Sequence, residues 1–258
     1  MRFCFFILPL LLACESAPQS TQPTHEESAT PIVENSTPEQ PIQQLLVVVT
    51  DDWDNPYGTL RRYEGTPENW QQVGEGIPIH VGQKGMGWAK RASEKEDFTG
   101  PVKVEGDKKS PAGQFELGPS FGYAPQAMAT QKWPYVPVHN ATMCIEDANS
   151  QSYNQIIDAN ATPKDYNSTD RMRRKDDLYE WGVWVYHNFP DPEPSAGSCI
   201  FLHVWREGGK GTAGCTAMSK PDMQEVIQWL SPEKQPLLVQ MPISAYMAVQ
   251  RKKGLPAW

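Results

Sequence analysis

The chain has 258 residues, with 23 Lys and Arg against 31 Asp and Glu, 39% hydrophobic residues, 24 Pro and 19 Gly. The folded part from Leu45 onward carries 22 Lys and Arg against 26 Asp and Glu, only mildly acidic at −4, which argues against nucleic acid as a partner. From Leu45 onward about 214 residues remain, enough for a single domain with a sizeable core.

The N-terminus carries Arg2, then the apolar run from Phe3 to Leu12, then Ala13 and Cys14. This resembles the lipobox of a bacterial lipoprotein leader, a processing signal that plays no part in the fold. The expectation is cleavage after residue 13 and lipidation of the Cys14 thiol, which ties the chain to a membrane. Glu15 in place of Asp points to the outer membrane, facing the periplasm, in a Gram-negative envelope. Residues 14–44 contain five acidic residues and no Lys or Arg, and are rich in Pro, Ser, Thr and Gln. They read as a disordered tether with an r.m.s. span of roughly 30 Å, and His25 within it as exposed.

The folded part, 45–258, opens on the β-branched run Leu45 to Thr50. Further strands are expected at Thr59–Tyr63, Ile77–Val81, Gln114–Leu117, Tyr135–Val138, Trp181–His187, Cys199–Trp205 and Pro236–Met241, with Gly and Pro in most of the gaps. The polar segment Asn154–Asp177 reads as a surface loop or short helix. One longer helix is predicted where Met223, Val226, Ile227 and Leu230 fall on an i, i+3, i+4, i+7 stripe. Ser219 caps its start, Asp222 completes the Ser-x-x-Asp pattern, and Pro232 ends it. The fold class is therefore mostly β, with one or a few short helices.

Chemistry concentrates in Ser198-Cys199-Ile200-Phe201-Leu202-His203 and Thr212-Ala213-Gly214-Cys215-Thr216-Ala217-Met218. A thiol is mostly protonated at pH 7, so a nucleophilic Cys relies on a neighbouring base and on oriented N–H groups. His203 ends an apolar strand, and Gly214 lets substrate approach the backbone at Cys215. Cys144, Cys199 and Cys215 are an odd set outside the cytoplasm. Pairing Cys144 with Cys199 leaves Cys215 free, and two buried, unpaired thiols are the alternative. His187, His203 and Cys215 lack the spacing of a zinc motif, so neither a metal nor another cofactor is expected.

Three segments resemble the L,D-transpeptidase, or YkuD-type, catalytic domain of bacterial cell-wall enzymes: Val81-Gly82-Gln83-Lys84-Gly85-Met86-Gly87-Trp88, Val104-Glu105-Gly106-Asp107-Lys108-Lys109-Ser110-Pro111-Ala112-Gly113-Gln114-Phe115, and the block from His203 to Met218. The resemblance implies a β-sandwich or barrel-type fold and chemistry on peptidoglycan stem peptides, in which a Cys thiol attacks the carbonyl between an L- and a D-configured residue. The best-known members carry a second His where this chain has Ala213, and an Arg where it has Thr216-Ala217-Met218. The Gly-Cys-x-Ala-Met pattern is similar to outlying branches, some of which hydrolyse a wall linkage.

The roles that follow are Cys215 as nucleophile, His203 as base and the N–H groups of Gly214 and Cys215 as oxyanion hole. Thr212 is expected to orient the loop, and Arg206 to meet a stem-peptide carboxylate. Asp147 and Tyr153 are placed at the cleft, and His187 is the rival base. His80 and His139 read as buried structural histidines. Hydrolysis at the same site and a non-catalytic wall-binding lipoprotein are the competing functions. The oligomeric state is not legible.

Overall fold

The structure is a computed structural model that describes residues 41–93, 99–124 and 132–258. The leader, the Cys14 lipidation site, His25 and the tether through residue 40 lie outside the described residues.

The strands are β1 (Gln44–Thr50), β2 (Tyr57–Glu64), β3 (Gln71–His80), β4 (Met86–Trp88), β5 (Ser110–Gly122), β6 (Tyr135–Pro137), β7 (Thr142–Ile145), β8 (Ile156–Asp158), β9 (Thr169–Arg171), β10 (Trp181–Val185), β11 (Phe201–Val204), β12 (Thr216–Met218) and β13 (Leu237–Pro242). The helices are α1 (Lys90–Ser93), α2 (Lys220–Trp229) and α3 (Ile243–Val249). The fold is mostly β, as its short Gly- and Pro-punctuated runs imply. One sheet runs β10-β11-β12-β3-β2-β1-β13-β5 and closes on itself through a β5–β10 pairing. The result is a barrel-like ring, with β4 and β6 appended to β5.

β1 explains the ring's stability. Every residue of Gln44–Thr50 is buried, because the strand pairs with β2 on one side and β13 on the other while both of its faces are covered. Leu45, Leu46, Val47 and Val48 are at most 1% exposed, and burying each such side chain contributes roughly 1.5–3 kcal/mol. The helix stripe holds as well. Met223, Val226, Ile227 and Leu230 are buried, the Asp222 N–H donates to Ser219 Oγ at 3.2 Å, and the helix ends at Trp229, ahead of Pro232.

Several sequence-based boundaries shift. Trp181–His187 narrows to Trp181–Val185, because Asn188 adopts φ 55° and the His187 N–H turns back onto the Val185 carbonyl. Cys199–Trp205 narrows to Phe201–Val204, because Cys199 sits at φ 55°. Asn154–Asp177 is neither a loop throughout nor a helix. Its Ile156–Asp158 and Thr169–Arg171 flank β7 in a separate three-stranded sheet of order β8-β7-β9.

That small sheet is stapled to the barrel. Cys144 of β7 is bonded to Cys199, just ahead of β11, across a sequence separation of 55. Closing a loop of that length removes chain entropy worth about 4 kcal/mol in the unfolded state. Asn154 adds a second tie: its Oδ1 accepts the Cys199 N–H at 2.9 Å, and its Nδ2 donates to the His187 and Asn188 carbonyls.

Candidate active site

The site lies in an apolar cluster where Cys144 of β7 and Met172, just after β9, pack with Tyr179, Cys199, Phe201 of β11 and Cys215. Strands β11 and β12 run parallel, with Leu202 opposite Thr216 and His203 opposite Ala217. Side chains alternate between the faces of a strand, so Phe201 and His203 point the same way while Leu202 faces the barrel interior. Cys215 precedes Ala217 by two residues and falls on the face that carries His203. Its Sγ accepts the Phe201 N–H at 3.4 Å and lies 3.5 Å from the Cys199 carbonyl. The thiol thus rests over β11, two residues upstream of the imidazole, a separation of roughly 7 Å along the backbone.

The loop before Cys215 is fixed by two hydroxyls. Thr212 Oγ1 accepts the Gly214 N–H at 3.1 Å and donates to the Cys215 carbonyl at 2.6 Å. Ser110 Oγ lies 2.7 Å from the Gly214 carbonyl and 3.0 Å from that of Cys215, while accepting the Gly82 N–H. Thr212 therefore orients the loop, but it takes up the Gly214 N–H. This corrects the expected oxyanion hole, leaving the Cys215 N–H as its donor within the Gly-Cys pair. Space is tight around Gly214 too, since a Cβ there would stand 3.2 Å from the Lys109 carbonyl oxygen and 3.3 Å from Ile200 Cδ1.

His203 is 5% exposed, and its Nδ1 is 2.7 Å from the Val204 carbonyl. A carbonyl only accepts, so Nδ1 carries the proton and Nε2 keeps its lone pair. Burial lowers the imidazole pKa to about 4, against the opposing pull of the Val204 carbonyl. Burial also pushes the Cys215 thiol up to about 12, opposed first by the Phe201 N–H. The resting pair is a neutral thiol and a neutral imidazole. It suits general-base activation at the moment of attack rather than a standing thiolate–imidazolium pair.

Tyr179 closes the wall beside them. Its ring is edge-on to His203, 5.2 Å between centroids, and to Phe201 at 5.5 Å. Its hydroxyl donates to Asp170 Oδ2 on β9. Burial raises the carboxyl pKa values of Asp170 and Glu146, and the two repel one another.

The family model of the YkuD L,D-transpeptidase catalytic domain matches residues 68–240, which include β11, the nucleophile loop and β12. The chain belongs to this family. It is thus an L,D-transpeptidase-type member of a family of peptidoglycan-modifying enzymes. Neither a curated protein nor a solved structure matches it significantly.

Within this L,D-transpeptidase domain, the remaining sequence candidates separate. His187 is buried on a different side. Its Nε2 contacts the Ala196 carbonyl at 3.0 Å and its ring meets Phe115 edge-on. It lines a cavity of about 710 Å³ with Trp88, Phe115, Tyr186 and Phe189, and neither Cys215 nor His203 lines that cavity. That cavity is thus separate from Cys215 and His203, and His187's surroundings do not support the role of rival base. Arg206 is two-thirds exposed and pairs with Asp176 at 2.8 Å, so its guanidinium is engaged. Asp147 caps a turn by accepting the Asn149 and Asn167 N–H groups. Tyr153 is buried and donates to Glu105 Oε2 at 2.8 Å, where Ser198 Oγ also donates. His139 is exposed beside Asp158, and His80 is half-buried between Tyr57 and Trp205, so neither is the buried histidine expected. No cluster of His, Cys, Asp or Glu among the described residues has the geometry of a metal site.

Sequence reasoning did not single out Tyr179, Asp170 or Ser110, although Ser110 lies inside one of the segments that resemble the family, and Glu146 lies in the 144–147 region expected at the cleft. Asp170 reaches the site on β9 of the disulfide-linked sheet, and Tyr179 from the turn ahead of β10.

Proposed function

We propose that the domain is a cysteine acyltransferase acting on peptidoglycan stem peptides, with Cys215 as nucleophile and His203 as base. What supports this is that His203 and Cys215 lie on one face of β11 and β12, and that the 2.7 Å contact of His203 Nδ1 with the Val204 carbonyl assigns the ring proton to Nδ1 and leaves Nε2 its lone pair. In acylation, Sγ attacks the carbonyl carbon between the L- and D-configured residues as its proton passes to Nε2. The Cys215 N–H stabilises the oxyanion, the C–N bond breaks, and His203 returns the proton to the departing amine, leaving a thioester. An acceptor amine then attacks the thioester, gives its proton to His203, and releases the thiolate, which is reprotonated.

Water in place of the amine turns the same site into a carboxypeptidase or endopeptidase. Ala213, in the place of the second His of the best-known members, favours keeping that reading in view. Incubation with muropeptides, with products resolved by mass spectrometry, separates the two. Cross-linked dimers are expected for transfer; shortened peptides without dimers would assign the enzyme to hydrolysis.

The lipobox-like leader supports anchoring at Cys14 in the outer membrane, with the tether extending the domain into the periplasm toward the wall. The family's action on peptidoglycan is consistent with that address.

A further inference from the structure

We propose that Lys103 is a buried cation placed beneath the nucleophile loop to stabilise the thiolate of Cys215 as it forms; the proposal rests on the reading of Cys215 as nucleophile. Lysine is almost never fully buried unless paired, and burying a charge costs free energy that an apolar side chain would not incur. Lys103 is 2% exposed. Its Nζ donates to Asp107 Oδ1 and to the Val104 carbonyl, each at 2.6 Å. Asp107 is itself pinned, because it accepts the Val104 N–H at 2.8 Å and the Lys109 N–H at 2.9 Å. The ammonium is thereby held in one place.

That place abuts the catalytic loop. A Cβ at Gly214 would stand 4.0 Å from Lys103 Cε, and one at Gly197 would stand 3.2 Å from it. The segment beginning at Lys103 ends at Ser110, whose hydroxyl contacts the Gly214 and Cys215 carbonyls. The segment 103–110 therefore holds both the cation and the loop.

The charges around the thiol show why a cation there matters. Asp170 and Glu146 oppose ionisation of Cys215, whereas Lys103 favours it. Tyr179 also interacts with the thiol and packs edge-on against His203. On its other side, Lys103 faces His187, which it discourages from protonating, and the Glu105 carboxylate lies two residues along its own loop. As the proton leaves Sγ for His203, the developing negative charge meets a positive one already fixed by Asp107. Fixed charges of this kind need no reorganisation during the reaction.

The experiment is the pH dependence of Cys215 alkylation, read by mass spectrometry of the Cys215 peptide from the full chain. Lys103→Met keeps the bulk and removes the charge, and should lower the alkylation rate at pH 7.5 about tenfold with the thiol titrating higher. Lys103→Arg should stay near wild type. Asp107→Asn leaves the ammonium without its counter-charge and should move the thiol titration the opposite way, downward. A purely structural role would shift both variants in the same direction or not at all, and either result overturns the proposal. Should Lys103→Met not fold, as judged by thermal unfolding, Asp107→Asn still decides: an unchanged or upward titration refutes it. Alkylation does not depend on turnover. If Cys215→Ala retained wall-peptide products, the nucleophile assignment would fall while the charge effect remained separately measurable.

Discussion

Replacing His203 by Gln is expected to lower kcat/KM by about 10² to 10⁴, or roughly 3–5 kcal/mol of transition-state stabilisation. Gln retains an N–H that can reach the Val204 carbonyl, so the fold around β11 should persist, but it offers no basic nitrogen to the thiol. The effect should be large because Cys215 is held as a neutral thiol by burial, with its pKa near 12. An already ionised thiolate would need the base less. Steady-state kinetics on a stem-peptide donor, with thermal unfolding as a control, makes the measurement. The wild-type profile should show its acidic limb near pH 4, where the buried imidazole gains its proton, and no inflection near 6.5. A His203→Gln enzyme with unchanged kcat/KM would remove His203 from the mechanism.

Acid should destabilise the domain well before its carboxylates are neutralised. His187 and His203 are both buried, and burial lowers each pKa from 6.5 to about 4. The unfolded chain protonates these residues near 6.5, whereas the folded chain resists until about 4, so in that window the unfolded state binds more protons. Stability is therefore complete above 6.5 and is lost as pH falls toward 4, by roughly 3 kcal/mol for each histidine. Together they represent a large share of a typical domain's 5–15 kcal/mol. Asp170 and Glu146 act in the opposite sense, since their raised values make the folded state take up protons sooner, and they offset part of the loss. Urea unfolding at pH 7.5 and pH 5 tests this. A clearly lower midpoint is expected at pH 5, and equal midpoints would contradict the neutral burial of the two imidazoles.

The parts of the molecule that announced themselves in sequence are those whose pattern is local. β1 is an unbroken β-branched run, and α2 carries four apolar residues at helical spacing between a Ser cap and a Pro stop. Cys215 and His203 stood out because a thiol in a Gly-containing loop follows closely on a strand-borne imidazole. Thr212 was legible as a loop-orienting hydroxyl, but not its capture of the Gly214 N–H, which depends on how the loop folds back. The strands β7, β8 and β9 are three or four residues long, too short for a period of two to emerge from a polar segment. Asp170 comes to the site on β9, in a sheet whose pairing is not written in its neighbourhood, and Tyr179, two residues ahead of β10, meets Phe201 and His203 only once β10 pairs with β11. Lys103 was invisible for another reason: a lysine between two valines reads as a surface position on an exposed strand or loop, and only the folded segment 103–110 reveals it as buried.

The central claim is that Cys215 carries the acyl group. Intact-protein and peptide mass spectrometry after brief incubation with a tetrapeptide stem donor and an acid quench tests it most directly. A thioester adduct on the Cys215 peptide is expected in the wild type, more abundant when no acceptor amine is supplied, and absent from Cys215→Ala together with all products. Product formation by Cys215→Ala at the wild-type rate, or an adduct on any other residue, would contradict the claim.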